Sequence, residues 1–468
     1  METPPNSPKQ NIPDRNEDAI DVKWYGSFVE NGSFQAYEYL NEGESSMRDK
    51  KEKFFKDGIN PKLDYPDIDL VELEKKEAGL LKLKEGEEGV EISEENEVVK
   101  LAYRWKINEK IAELRMLKAV KNGNMRRFQK YSEFIYGKPS ADIFLYNLTE
   151  IRKDLEPAFT SENPEIKEAA EKLYQLLPAI MSDQQGEVLL PEDYVVQAVR
   201  EDTADLMKSL NPEFKKKKKN ENFTAEEIKE VFIQALAYAQ IEGWEVVIDK
   251  SSSKTGISVD HELKQVKIPA TRKVNSTKLQ ALIVHEIGTH VLRRQNGERS
   301  KLLLLGLGLD RYEKGEEGIA TVRGQTFKKK VNEFSGFDGH FAVSLAYGLD
   351  GKKRDFKEVY EILETYYYLT GLMNGEEKQE AKNDAKKNAW ERCVRTFRGS
   401  NCETAGVCFT KDIIYQQGNI GTWQIINDNQ KEMIRFNVGK YDPNNDRHVW
   451  ILTQLGISDA DLKVLEKE

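Results

Sequence analysis

The sequence predicts an α+β fold that is mainly helical, with one short mixed sheet placed just before a helix able to hold a metal. Three observations predict it. Apolar residues recur at helical spacing through most of the 468 residues. Three short β-prone runs lie between Trp244 and Ile268. The stretch Leu279–Gln295, LQALIVHEIGTHVLRRQ, then sets His285, Glu286 and His290 in one apolar helical run.

An imidazole, a carboxylate and a second imidazole on one helix form the arrangement that seats a zinc ion with its general base beside it. The common spacing is H-E-x-x-H, and this chain reads H-E-x-x-x-H. At about 100° per residue, an i,i+4 pair lies about 40° apart around a helix, and an i,i+5 pair about 140° apart. One ion can serve both rings only if the helix widens locally. The spacing therefore predicts a π-bulge between His285 and His290, closed by an i→i+5 hydrogen bond, with both rings on one side. Gly288 lies inside the span and tolerates the distortion.

A catalytic zinc with two histidines takes one more protein ligand, commonly a carboxylate. The segment Gly315-Glu316-Glu317-Gly318-Ile319-Ala320 offers one. Glu317 is the expected third ligand, with Glu316 either the alternative or the partner of a ligand histidine. Gly318 and Ala320 are small enough to pack closely on the metal helix. The expected cofactor is one Zn2+ per chain. A short sheet followed by such a helix is the order of a zincin-like metallopeptidase core.

Composition narrows the function classes. The net charge is −10, which disfavours general nucleic-acid binding. No stretch approaches the roughly 20 apolar residues of a membrane span, and the N-terminus lacks an apolar signal region. The expectation is a cytoplasmic protein. The three cysteines, Cys393, Cys402 and Cys408, cannot all pair and match no zinc-knuckle spacing. Nothing in the sequence sets an oligomeric state.

In chain order, residues 1–60 read as an N-terminal arm, partly disordered, whose aromatics Trp24, Tyr25 and Tyr37 dock on the body. Residues 61–220 read as a helical subdomain, with clear periodicity from Glu97 and an end signal at Asn122-Gly123. The Lys215–Lys219 run is expected as a solvated loop, or a grip for an acidic tail. Residues 221–468 read as the catalytic domain. It opens with the capping box Thr224-Ala225-Glu226-Glu227 and a helix from Ile228 to Ala239. Strands follow at 244–248, 256–259 and 263–268, the last closed by Pro269. Gln265–Ile268 is the expected edge strand and a candidate rail for an extended peptide. The leucine-rich KLLLLGLGLD reads as a buried turn or pocket wall. His340 and His448 read as structural. Further on, Arg392, Arg395, Arg398 and Lys411 concentrate positive charge in an acidic chain. Arg395, Arg398 and Lys411 are the candidate clamps for a terminal carboxylate.

HEIGTH, the downstream EEGIA segment and RTFRG…FTKDIIYQQG together resemble the microtubule-associated tyrosine carboxypeptidase family. Its bacterial relatives are labelled flavohaemoglobin-expression-modulating QEGLA-motif proteins. The resemblance covers roughly residues 95–460. It implies zinc on His285, His290 and Glu317, with Glu286 as the catalytic carboxylate. It further implies removal of a C-terminal tyrosine from a protein tail, in animals that of α-tubulin. The expected activity is thus a zinc-dependent carboxypeptidase acting on a peptide or protein C-terminal tail that ends in tyrosine or another aromatic. Tyr415 or Lys411 is the expected oxyanion donor. The rivals are a zinc endo- or aminopeptidase and a non-catalytic zinc-binding regulatory protein.

Overall fold

A computed structural model describes residues 20–32, 34–85, 93–178, 186, 188–210, 214, 217–218, 221–250, 256–327, 331 and 334–458. The N-terminal half is built from α1 (Ile20–Gly32), α2 (Ala36–Tyr39), α3 (Glu44–Asp57), α4 (Leu70–Glu85) and α5 (Glu94–Lys121), followed by α6 (Met125–Tyr136), α7 (Ala141–Phe159), α8 (Pro164–Leu176) and α9 (Asp193–Leu210). The longest of these is α5, and its ends follow helix rules. Ser93 caps the first turn by accepting from the Asn96 N–H, three glutamates sit near the positive end, and Lys118 and Lys121 near the negative one.

From Ile20 onward the N-terminal arm is helical and docked. Trp24, Tyr25 and Phe28 are buried, and Trp24 and Phe28 meet Tyr103 of α5 edge-on. Tyr37 is half-buried. Much of the Lys215–Lys219 run lies outside the described residues, although Lys217 pairs with Glu227.

After α10 (Ala225–Tyr238), whose capping box forms at Thr224 and Glu227, comes a mixed three-stranded sheet. Its strands are β1 (Glu245–Asp249), β2 (Ser258–Asp260) and β3 (Gln265–Pro269), in the order β1-β3-β2. The expected edge strand is therefore corrected. A simple meander would leave β3 outermost, but β1 pairs with it in parallel and β2 antiparallel, so β3 is central. Both of its ladders are occupied, and β2 is the strand left at the edge on that side.

The chain then enters α11 (Ser276–Leu282), a π-helical segment Ile283–Val291, and α12 (Leu292–Arg299). The wide segment runs through nine residues rather than a single turn. Gly288 contributes through packing: a Cβ there would lie 3.0 Å from Leu206 Cδ2 of α9. The leucine-rich run follows as α13 (Leu304–Leu307), and Leu302–Leu305 sit in the main apolar core rather than in a pocket wall. The remaining helices are α14 (Glu313–Gln325), α15 (Phe337–Tyr347), α16 (Phe356–Met373), α17 (Lys378–Phe397), α18 (Ile413–Asp428) and α19 (Asp446–Gln454).

One apolar core is shared by the N-terminal segment, α4 to α8 and α15 to α19, whereas α10, the sheet and the π segment close around a second. The three cysteines are buried and unpaired with one another. Among the described residues no helix is long and apolar enough to cross a membrane.

Gly318 of α14 packs on α18, not on the helix that carries His285 and His290. A methyl group on Gly318 would collide with the Gly418 carbonyl and the Thr422 hydroxyl, and one on Gly418 with the Lys314 carbonyl. Backbone atoms cannot yield as a side chain does. Gly318→Ala is thus expected to cost about 1–3 kcal/mol of stability. A shift of the urea midpoint at unchanged slope measures it.

Candidate metal centre and substrate cavity

The π segment brings the two rings together. His285 and His290 have centroids 4.9 Å apart, nearly perpendicular. Within the widened turn, the Thr289 hydroxyl donates to the Val284 carbonyl at 2.9 Å. Across from it, α14 presents two consecutive glutamates in different directions. Glu317 faces His285, with Oε2 3.9 Å from Nε2. His285, His290 and Glu317 each offer a ligand atom, all within 4.8 Å of one another. Glu316 instead meets His290 Nδ1 at 2.9 Å and takes an Arg293 guanidinium bond.

This donor set fits a zinc ion on two counts. Two imidazoles and a carboxylate are the ligand types of catalytic zinc sites. Each imidazole has its other side engaged, as ligand histidines require. The His290 ring meets Glu316, and the His285 ring bonds the Ala320 carbonyl. Burial pulls the His285 pKa down to about 3; for His290 burial also acts downward, but the bond to Glu316 and the charges of Glu317 and Glu286 outweigh it and raise the pKa. For Glu316, burial acts upward, but Arg293, Lys440 and His290 outweigh it and hold the carboxyl down at about 2. It is a permanent anion behind His290.

Glu286 is buried beside the cluster. Burial pushes its carboxyl up to about 7, against the pull of His290 and with a further push from Glu317. It lines the same cavity, of about 330 Å³, as the three donor residues. That volume is near the lower end of small-molecule sites.

All of the sequence-predicted metal-ligand, catalytic and clamp residues line that cavity, including Tyr415, Arg395, Arg398 and Lys411, whereas the predicted rail Gln265–Ile268 does not. Their engagements differ. Arg395 grips Asp412 with two bonds, 2.8 and 2.7 Å, and Arg392 adds a third at 2.9 Å. Lys411 is ion-paired with Glu313 and sits over the Tyr37 ring at 4.5 Å. Arg398 is half-buried near Asp412, Tyr65 and Tyr415, yet its side chain makes no hydrogen bond or ion pair among the described residues. Three guanidiniums thus surround a single carboxylate, and one of them is left over. Tyr415 lies beside Arg395. Burial raises the Tyr415 pKa, followed by the effect of Glu317, so the phenol remains protonated.

Sequence reasoning missed several lining residues. His261, after β2, lies with its ring 6.4 Å from that of His290 and within 2.7 Å of the Lys440 ammonium. Gln35, Tyr37, Tyr312 and Phe409 form other parts of the wall, and Ile257–Val259 bring the edge strand to it. Apart from Phe409, which opens the FTKDIIYQQG segment, none of them carries a motif. They arrive from four separate stretches of chain, and only the fold unites them.

The family model for microtubule-associated tyrosine carboxypeptidases matches residues 191–326 and 357–459, just over half of the chain. The chain belongs to that family. Its relatives include microtubule-associated tyrosine carboxypeptidase 1 of Mus musculus, 27% identical over 144 residues, and that of Homo sapiens, 28% identical over 144. The match takes in 30% of this chain, and the chain spans about a quarter of the length of those relatives, 26%.

Asp412 offers a test of the cation cluster. Burial raises its carboxyl, but Arg395 and Arg392 outweigh burial and hold it well below the ordinary carboxylate range. A depressed carboxyl stabilises the fold above its unfolded pKa of about 3.9, and that stabilisation drains as pH falls toward the folded value. Asp412→Asn leaves the arginines facing one another. We expect a loss of the order of 3 kcal/mol at neutral pH. We also expect a shallower fall in stability on acidification below about pH 5, read from urea midpoints as a function of pH.

Proposed function

We propose that this chain is a zinc-dependent carboxypeptidase that removes a C-terminal tyrosine, or another aromatic residue, from a peptide or protein tail. The observation that carries the proposal is one cavity holding three convergent donors, a buried carboxylate and the Arg398 guanidinium, which has no hydrogen bond or ion pair among the described residues. The preference for tyrosine follows the printed name of the relatives, and the proposed core is zincin-like.

In this reading His285, His290 and Glu317 hold the zinc. When bound, zinc supplies Lewis acidity to the reacting water and the scissile carbonyl. The chain's own groups do the rest. Glu286, one residue from a ligand, takes the proton of the attacking water and delivers it to the leaving amine. Its buried setting, with a carboxyl near 7, suits a group that both accepts and releases a proton. The neutral Tyr415 O–H, at the cavity wall, donates to the oxygen that gains charge in the transition state. Arg398 clamps the terminal carboxylate, because Arg395 and Lys411 already have anionic partners. Their role is to set the local charge and orient Tyr415 and the cavity wall. The edge strand β2 lies where an extended tail could align beside it.

An endopeptidase or aminopeptidase would have no use for an extra cation lining the cavity. Charge therefore favours carboxypeptidase polarity over the other peptidase readings.

The test uses synthetic tail peptides followed by mass spectrometry. A peptide with a free C-terminal tyrosine should lose one residue, and its C-terminal amide should remain intact. Cleavage of the amide at an equal rate would overturn the polarity. Glu286→Gln is expected to lower turnover by at least about 10²–10⁴-fold while zinc content by metal analysis stays near one per chain. Arg398→Gln should raise KM for the free acid by about tenfold or more.

A further inference from the structure

The stretches that match the family begin at residue 191, yet Gln35 and Tyr37 stand in the cavity beside the donor cluster. Their placement is not a loose drape. The α5 helix buries four charged side chains, Lys106, Glu109, Lys110 and Glu113, on one face. Two of them clamp the backbone next to Tyr37: Lys110 Nζ donates to the Phe34 carbonyl at 2.6 Å, and Glu113 accepts the Ala36 N–H at 2.9 Å. They also pair with each other at 3.0 Å. Upstream, the Asp21 carboxylate accepts the Leu303 N–H at 2.8 Å and the Tyr103 hydroxyl at 2.7 Å. Tyr25 reaches Glu298 of α12 at 3.2 Å, so the segment is tied to the end of the metal helix as well.

The Tyr37 ring is held in turn. One face lies over the Lys411 ammonium at 4.5 Å, and Tyr136 stands on that ammonium at 5.0 Å. This tyrosine–lysine–tyrosine stack fixes the ring plane at the cavity wall. The phenol neighbours Glu313, Tyr415 and Glu317 and, with burial as the main cause, its pKa is raised, so it stays neutral. Phe409, Tyr312 and Tyr415 line the same cavity, as does Arg398, which has no hydrogen bond or ion pair among the described residues. An aromatic wall beside a spare guanidinium matches a terminal residue with a flat ring and a free carboxylate.

We propose that the Phe34–Tyr37 segment is a fixed wall of the substrate site and that Tyr37 sets the preference for an aromatic terminal side chain. This rests on the carboxypeptidase reading above. Tyr37 acts by contact with the departing residue and takes no part in proton transfer, so it should alter discrimination more than turnover.

The experiment uses the full chain with zinc and four fluorescently labelled peptides, identical except for a terminal tyrosine, phenylalanine, leucine or alanine. Binding is read by anisotropy on the Glu286→Gln protein, and kcat and KM on the parent. Tyr37→Ala should weaken binding of the tyrosine- and phenylalanine-ended peptides about tenfold and shift that of the alanine-ended peptide less than twofold. KM should rise with little change in kcat. Tyr37→Phe should retain the preference, because the ring and not the hydroxyl makes the wall. Equal losses for all four peptides would mean that Tyr37 is merely structural and would overturn the inference, as would an undiminished preference in Tyr37→Ala or no preference in the parent. Those results leave the carboxypeptidase reading standing. A parent that neither binds nor cleaves any of the four overturns both.

Discussion

Two rings five residues apart on a chain must face one point if they are to share an ion, and a regular helix forbids it. The wide turn from Ile283 to Val291 removes the conflict. It does so inside a tight apolar setting, with Ile283, Val284, Ile287 and Val291 fully buried. The cost of poorer hydrogen-bond geometry in a π-helix is offset by packing on both sides. What remains is the approach of α14. Its glycine contact with α18 sets how near Glu316 and Glu317 can come, and the two neighbouring acids then separate into different tasks. Glu316 enters a buried network with Arg293, His290 and Lys440, while Glu317 turns to His285.

The same economy appears in α5. Lys106 donates to the Leu309 carbonyl and Glu109 accepts the Arg311 N–H, so this helix also steadies the loop that feeds α14. Buried ion pairs seldom add much net stability, because desolvation consumes most of the attraction. Here their use is positional. Four charges that cannot leave the interior hold two loops distant in sequence, each leading into residues that line the cavity.

Much of this was legible because it is local. The order helix, short sheet, metal helix follows from capping, alternation and the His285–His290 spacing, all of which act within a few residues. The acidic pair was legible as a pair, and its division of labour became visible only with Arg293 and Lys440 in place. The order of the strands was not legible, since a parallel return of β3 onto β1 depends on long-range pairing that three short runs do not encode. Nor was the competition for the cations. Asp412 and Glu313 are ordinary acids in a chain rich in them, and no spacing rule marks them as the partners of Arg395 and Lys411. His261 and Lys440 stand alone in sequence, without neighbours that would single them out, and Tyr37 is marked there only as a docking aromatic of the arm.

The brevity of β2 carries a consequence for what the cavity can recognise. Three residues at about 3.3 Å each give a ledge of roughly 10 Å. A polypeptide lying along it would exchange only a few main-chain hydrogen bonds, far too little to hold a long sequence by itself. On the proposed reading, recognition is then concentrated at the extremity of the tail, and the residues upstream are left largely unread. Such an enzyme would accept unrelated proteins with the same last residue, and any narrower choice among them would have to come from contacts outside the cavity.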